Sequence, residues 1–318
     1  MRVCVTGGAG FIGSSVVRAL HASIEGVTVT VLDDLSSGLV SNLNGLDYVD
    51  LVEGTIVDSE LCAKVVADCD AVVHLAARPS VPRSIADPVA SYTANVEGTF
   101  NMLEAARATG QPLPFIFASS SSVYGGNKTM PKREDLAPAP LSPYAAAKLS
   151  GEQFVLAYKH SFGLRSLALR FFNVFGPRQQ PGSAYAAVIP QLTHAALLGL
   201  PLPIHGDGLQ TRDFTYVETV TELIAQAVAG GISCDSPMNL AFGTRTSVLD
   251  AAQKISACIG TEVTFDHSGV RAGDVRDSQA DGSLLHSLFP NITPVPLEVG
   301  ISHTVAWMRD VYLASVPA

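Results

Sequence analysis

The chain has 318 residues, 47% hydrophobic and 15% charged, which suits a soluble enzyme with one large core or two unequal domains. Its net charge of −9 argues against a nucleic-acid partner, whose phosphates call for a basic face, but leaves local arginines able to hold an anionic ligand. The five cysteines show no metal-type or disulfide spacing, Met1 stands two residues before the first apolar strand, and no apolar run could span a bilayer; the expectation is a cytoplasmic protein without metal, signal peptide or membrane segment.

Val3, Cys4 and Val5 predict a strand that runs into Thr6-Gly7-Gly8-Ala9-Gly10-Phe11-Ile12-Gly13, and Ser14 to Leu20 then reads as a helix. Strand, glycine turn and helix in that order predict a dinucleotide site. Gly7, Gly10 and Gly13 allow the turn, the approach to a pyrophosphate and the helix packing, and the helix N-terminus faces the negative charge. A second strand, Val27 to Leu32, ends in Asp33-Asp34, and Asp33 falls 20 residues beyond Gly13, where a carboxylate accepts ribose hydroxyls and favours NAD over NADP. Further strands are expected at Tyr48–Val52, Ala71–Leu75, Phe115–Ala118 and Leu167–Phe172. Near-continuous apolar strands alternating with helices predict an α/β fold of the Rossmann type, a doubly wound parallel sheet that binds ligands at the carboxyl ends of its strands. Thr6-Gly7, Asp33, Ala76-Ala77, Ser119 to Ser122 and Asn173 all fall where a strand stops.

Past the fifth strand lies Ser119-Ser-Ser-Ser122-Val-Tyr124-Gly125, and 24 residues after Ser120 comes Tyr144-Ala-Ala-Ala-Lys148. On a helix, a spacing of four puts phenol and ammonium on one face. There the cation can lower the phenol's pKa from about 10 toward a usable base. From Gly176 the texture changes to Pro, Gly and shorter elements, so residues 1–175 are expected to form the NAD-binding domain and 176–318 mainly a smaller substrate lobe.

These motifs, with Ser36-Ser37-Gly38, His74-Leu75-Ala76-Ala77, Asn95-Val-Glu-Gly98, Arg170-Phe-Phe-Asn173-Val-Phe-Gly176-Pro-Arg178, Gly206-Asp-Gly208, Arg212-Asp-Phe214 and Arg271-Ala-Gly-Asp274, resemble the extended short-chain dehydrogenase/reductases of the nucleotide-sugar epimerase group, close to bacterial UDP-hexose 4-epimerases. The resemblance runs along nearly the whole chain. It implies a homodimer through a four-helix bundle built from Val89–Arg107 and Ser142–Phe162, and segments near 214–242 that return to the first domain. It implies NAD contacts from Phe11, Ile12, Asp34, Thr55, Ile56 with Asp58, Leu75, Ala76, Ala77, Asn95 and Ser119, besides the glycines, Asp33, Tyr144 and Lys148. His74 reads as a core histidine satisfied by backbone.

The resemblance also implies a reaction. Tyr144 takes the proton of the sugar 4-hydroxyl, Ser120 shares that oxygen, Lys148 holds the ribose and the tyrosine charge, and a transient 4-keto sugar on bound NAD/NADH lets C4 invert. Related dehydratases resemble Ser-Thr-Asp-Glu-Val-Tyr-Gly where this chain has Ser121-Ser122, and hydroxyls replace that acid/base pair poorly, so elimination is disfavoured. Arg212 and Arg271 match diphosphate-binding positions, Asn173 adds a donor, Asp274 reaches the uridine ribose, and Tyr185-Ala-Ala187-Val188 with Pro203-Ile204 resembles the uracil sandwich. Ser80, Arg83, Ser121, Ser122 and Arg178 are expected near the hexose, and Ser278 occupies a gatekeeper position where a small residue admits a 2-N-acetyl group. The expected substrate is UDP-glucose, UDP-GlcNAc or the uronic acid UDP-GlcA. The alternatives are a dehydratase or reductase of the same family, or a catalytically silent NAD-sensing regulator.

Overall fold

The computed structural model describes residues 1–181, 187–269 and 276–315. Its strands are β1 Arg2–Thr6, β2 Thr28–Asp33, β3 Val49–Glu53, β4 Ala71–His74, β5 Pro114–Ser120, β6 Arg165–Phe171, β7 Asn173–Phe175, β8 Leu202–His205, β9 Thr211–Arg212, β10 Phe214–Tyr216, β11 Met238–Leu240, β12 Thr246–Ser247 and β13 Phe265–Ser268. The principal helices are α1 Phe11–Ser23, α2 Ser59–Val66, α3 Val81–Ala86, α4 Pro88–Tyr92, α5 Gly98–Ala108, α6 Pro143–Phe162, α7 Val188–Leu197, α8 Val217–Gly230 and α9 Val248–Ile259.

Seven parallel strands form the central sheet in the order β3-β2-β1-β4-β5-β6-β11. Side chains alternate across a strand, and the sequence is apolar at both parities. Val3, Val5, Val29, Val31, Val73, Ile116 and Leu167 enter one core with residues of α1 and α8, whereas Cys4, Leu32, Val72, Phe115, Phe117 and Ala168 enter a second with α2, α5 and α6. Cys4, Cys62 and Cys69 belong to this second core as buried apolar residues. The doubly wound parallel sheet expected from the apolar runs is therefore present, with β5 two residues longer at its carboxyl end than the apolar pattern suggests because Ser119 and Ser120 continue the pairing with β6.

The strand order reverses direction between β1 and β4, which opens a crevice above their carboxyl ends. Beyond β6 the chain makes short paired elements, β7 with β10, β8 with β13 and β9 with β12, that stand over that crevice. The chain also returns to the sheet: β11 pairs with β6 and α8 packs on α1. Among the described residues no helix is long and apolar enough to cross a membrane.

The glycine turn is held by close backbone approaches. Gly7 has φ +70°, and a Cβ there would lie 2.8 Å from the Ala76 nitrogen; a Cβ on Gly13 would lie 2.0 Å from the Gly7 carbonyl oxygen. Gly13→Ala should therefore push α1 off the turn and destabilise the fold by about 1–3 kcal/mol, the range for overpacking, seen as a lower urea midpoint at unchanged slope.

Candidate active site

A cleft of about 890 Å³ follows the carboxyl ends of the strands. At one end Gly7, Gly10, Phe11, Ile12 and Gly13 line it together with Asp33, Asp34, Ser36, Ser37, Gly38, Thr55, Ile56, Leu75, Ala76 and Ala77. Gly10 caps α1 without a side-chain hydrogen bond, so the helix presents its own N–H groups and the positive end of its dipole. Asp33 is oriented from below: Ala9 N donates to Oδ2 and Leu35 N to Oδ1, each at 2.9 Å, and Gly38 leaves the room that its carboxylate needs. Burial pushes its carboxyl up from the usual range, against the pull of those two N–H groups. A glycine cradle and a fixed acid with acceptor capacity to spare fit a pyrophosphate and a ribose.

Two expected cofactor contacts stand elsewhere. Asn95 does not line this cleft; it sits in a single π turn, Thr93–Glu97, where its amide accepts from Arg78 N at 2.9 Å and donates to Arg78 O at 3.1 Å, so it shapes the loop after β4. Asp58, expected beside Ile56, uses its carboxylate to cap α2 through Leu61 N at 3.0 Å. His74 is a core histidine, but two hydroxyls satisfy it rather than backbone, Thr6 at Nδ1 (2.7 Å) and Thr99 at Nε2 (3.0 Å). Thr6 also accepts from Ala76 N, which ties the ends of β1 and β4 together.

Midway along the cleft Ser119, Ser120, Tyr144 and Lys148 converge. Ser142 caps α6 through Ala145 N and Pro143 opens its first turn, so the helix begins just where Tyr144 must leave its surface. Burial raises the Tyr144 phenol above its ordinary value, and a hydrogen bond with Ser120 lowers it. The Lys148 ammonium does not supply that lowering here. It donates to the Ala118 carbonyl at 2.8 Å and lies 5.1 Å from the Phe117 ring centre, and burial pushes it down to about 8 while Glu152 pulls it up. Burial, aided by Lys148, pushes His74 down to about 3, so it is neutral.

Sequence reasoning missed the group behind this pair. Glu152 follows Lys148 by four residues, on the same face of α6, and receives Ser119 Oγ at 2.5 Å and the Arg170 guanidinium at 2.9 and 2.8 Å. Arg170 also covers the Tyr124 ring at 4.6 Å, and Tyr124 donates to Asn239 of β11 at 2.7 Å. The spacing 144, 148, 152 was the available signal. Gln179, His205 and Gln210 are further polar cleft residues with no such signal, because they come from separate short elements.

On the far side Ser80, Arg83, Asn173, Ala187, Val188 and Arg212 line the cleft. Ser80 takes a positive φ of 96° and caps α3 through Arg83 N. Ile204 does not reach the cleft: strand alternation in β8 turns it into the core at 0% exposure and presents Pro203 and His205 instead. Arg178 also turns away, since its backbone has φ +70° and its guanidinium donates to Ser15 Oγ of α1 at 2.8 Å. Ser121 and Ser122 form a short turn beneath the cleft wall, Ser122 N donating to Ser120 Oγ. Ser278 is half-buried and is not part of the described wall. Tyr185, Arg271 and Asp274 lie outside the described residues.

A doubly wound sheet with a glycine turn, a fixed acid after β2 and a Ser/Tyr/Lys group in one cleft defines a dinucleotide-binding α/β protein. The model of the NAD dependent epimerase/dehydratase family matches residues 3–238, and the chain belongs to that family of enzymes. It is 36% identical over 314 residues to the UDP-glucose 4-epimerase of Mycolicibacterium smegmatis, covering 98% of this chain and 99% of that protein. It superimposes with a TM-score of 0.91 on a UDP-N-acetylglucosamine 4-epimerase from Methanobrevibacter ruminantium in complex with UDP-N-acetylmuramic acid, at 36% identity and 99% coverage of both chains. A UDP-glucuronic acid 4-epimerase from Bacillus cereus, in complex with UDP-glucuronic acid and NAD, gives 0.88 at 31% identity, with 98% of this chain and 100% of that one covered. NAD is the cofactor.

The buried Lys148 carries a stability cost with a defined pH window. Its amine titrates at about 8 in the fold against 10.5 ordinarily. The unfolded chain therefore binds the proton first as pH falls, and native stability drops between those values and stays reduced below them. Lys148→Met should stabilise the protein at pH 7 by on the order of 1–3 kcal/mol, the gain shrinking toward zero near pH 10.5, as measured by urea unfolding at both pH values.

Proposed function

We propose that the protein is a UDP-sugar 4-epimerase that inverts C4 of UDP-glucose, UDP-GlcNAc or UDP-GlcA through a transient 4-keto sugar, with NAD retained between turnovers. The observation that carries this reading is the convergence of Ser120, Tyr144 and Lys148 midway along a cleft that has the glycine turn at one end and Arg212 at the other. When bound, NAD supplies the redox chemistry, taking a hydride from the reacting carbon and returning it. Tyr144 exchanges the proton of the sugar 4-hydroxyl, and Ser120, which lines the cleft with it, holds the same oxygen. Lys148, whose amine donates to the Ala118 carbonyl in the same part of the cleft, holds the nicotinamide ribose.

In this reading Arg212 and Asn173, which line the cleft, bind the diphosphate together with Arg271 and Asp274, and Ser80 and Arg83, also in the lining, bind the sugar, Arg83 suiting a C6 carboxylate. Ser278 is proposed to leave room for a 2-N-acetyl group. Elimination, the reaction of the dehydratase branch, needs an acid/base couple beside the sugar. Among the described residues the cleft carries only Asp33 and Asp34 as carboxylates, both at the glycine end, which supports epimerisation.

Proton NMR of the purified protein without added NAD, incubated separately with the three UDP-sugars, tests the reading: the galacto epimer should appear, whereas a keto or deoxy product would overturn it. Tyr144→Phe should lower turnover by about 100-fold or more with NAD content unchanged in the purified protein.

A homodimer is part of the proposal. Val89 (73% exposed) and Tyr92 (53%) of α4, with Phe162 (57%) of α6, are exposed apolar side chains on the two helical regions that would pair. Val89→Asp should shift the protein toward monomer in sedimentation velocity.

A further inference from the structure

Asp213 joins β9 to β10 and is 0% exposed. Its neighbours Arg212 and Phe214 both line the cleft, and alternation along the extended chain turns the side chain between them away from it, into the protein. There the carboxylate receives four hydrogen bonds. Gly243 N and Ala280 N each reach Oδ2 at 3.0 Å, while Thr244 N at 3.2 Å and Thr244 Oγ1 at 2.8 Å reach Oδ1. A buried carboxylate is costly unless hydrogen bonds answer its charge. Here uncharged donors from two segments remote in the chain answer it. The Asp213 carbonyl serves a third segment: Asn173, another residue of the cleft, donates to it from its main-chain N at 3.1 Å and from Nδ2 at 3.4 Å. The segment holding Ala280 is itself fixed, since Gln279 O accepts from Lys132 N and Asp281 N donates to Lys132 O, both at 2.8 Å.

We propose that Asp213 is a positioning residue for substrate binding, its carboxylate anchoring from behind the wall of the cleft formed by Arg212, Phe214 and Asn173. The inference rests on the reading of Arg212 and Asn173 as residues that bind the diphosphate. The ladders on either side are too short to fix this wall: β9 has two residues, paired only with β12, and β10 has three, paired only with β7. A guanidinium recognises phosphate oxygens through donors of fixed direction, and it stands at the end of a long side chain. A small rotation of the chain at 213 therefore misdirects it. Both Asp213 oxygens accept two hydrogen bonds each, so the side chain cannot turn without losing partners. An amide of the same shape would turn its NH2 group toward two donors, which makes the carboxylate itself the requirement.

The test measures UDP binding to the NAD-loaded protein by calorimetry, with NAD content and the urea midpoint taken on the same samples. Asp213→Asn should weaken UDP by about tenfold or more with NAD content unchanged, and the KM for the UDP-sugar should rise by a larger factor than turnover falls. Loss of a buried acceptor can also unfold a protein. Thr244→Val keeps the carboxylate and removes only the Oγ1 contact, and it should weaken UDP by about threefold. Arg212→Ala is the reference and should weaken UDP by at least as much as Asp213→Asn. UDP affinity unchanged in Arg212→Ala overturns the diphosphate reading, and the proposal with it. UDP affinity lowered in Arg212→Ala but unchanged in Thr244→Val and in folded Asp213→Asn overturns the proposal alone, whatever happens to the urea midpoint. Loss of NAD together with UDP affinity overturns it too, because the damage then reaches the cofactor end of the cleft.

Discussion

The position of α6 against the carboxyl end of β5 governs the rest of the site. Successive residues of an extended strand advance by about 3.3 Å, whereas residues four apart on a helix advance by about 6 Å. Joining 118 and 119 to 148 and 152 is therefore possible because one contact uses a carbonyl and the other a side chain. That mismatch accounts for the long lysine reaching back to a backbone oxygen while the short Ser119 meets a longer side chain from the helix. The outcome is that Tyr144, at the start of the helix, faces the cleft, and the charged group Glu152 lies two turns deeper under protein.

The polarity behind the cleft is continuous. From Ser119 it passes through Glu152, Arg170, Tyr124 and Asn239 to the carbonyls of Lys132 and Asp281. An ion pair buried this fully adds little net stability, because desolvation offsets the attraction between its charges. Its consequence is geometric: β5, α6, β6 and β11 are tied at one end of the sheet, and β11 belongs to a segment far later in the chain. The elements that stand over the cleft are thereby referenced to the same strand ends that carry Ser120 and Tyr144.

The same economy of position appears at the cofactor end. Thr6 joins His74 and Ala76, Asp33 is held by Ala9 and Leu35, and Asn95 clamps the backbone of Arg78. Each bond uses a polar side chain to fix a loop immediately after a strand, where backbone N–H and C=O groups have left the ladder and need partners. Rigid loop ends of this kind suit a cofactor that stays in place through a turnover.

Local sequence was enough for whatever depends on residues near one another along the chain. Apolar runs at both parities defined buried parallel strands, the glycine spacing defined the turn after β1, and the interval from Tyr144 to Lys148 defined a shared helix face. The direction of side chains in short elements was decided elsewhere. Ile204 looked available for the cleft until the pairing of β8 with β13 set its alternation, and Arg178 was drawn to Ser15, 163 positions away in the chain. Glu152 was visible as the next turn of a helix, but its partners Ser119 and Arg170 come from two neighbouring strands, and only the packing of α6 on the sheet brings the three together. Periodicity and turn chemistry act over a few residues and can be read directly. Burial of a charge and the choice of its counter-ion depend on which distant elements share a core, and that is settled only when the chain has folded.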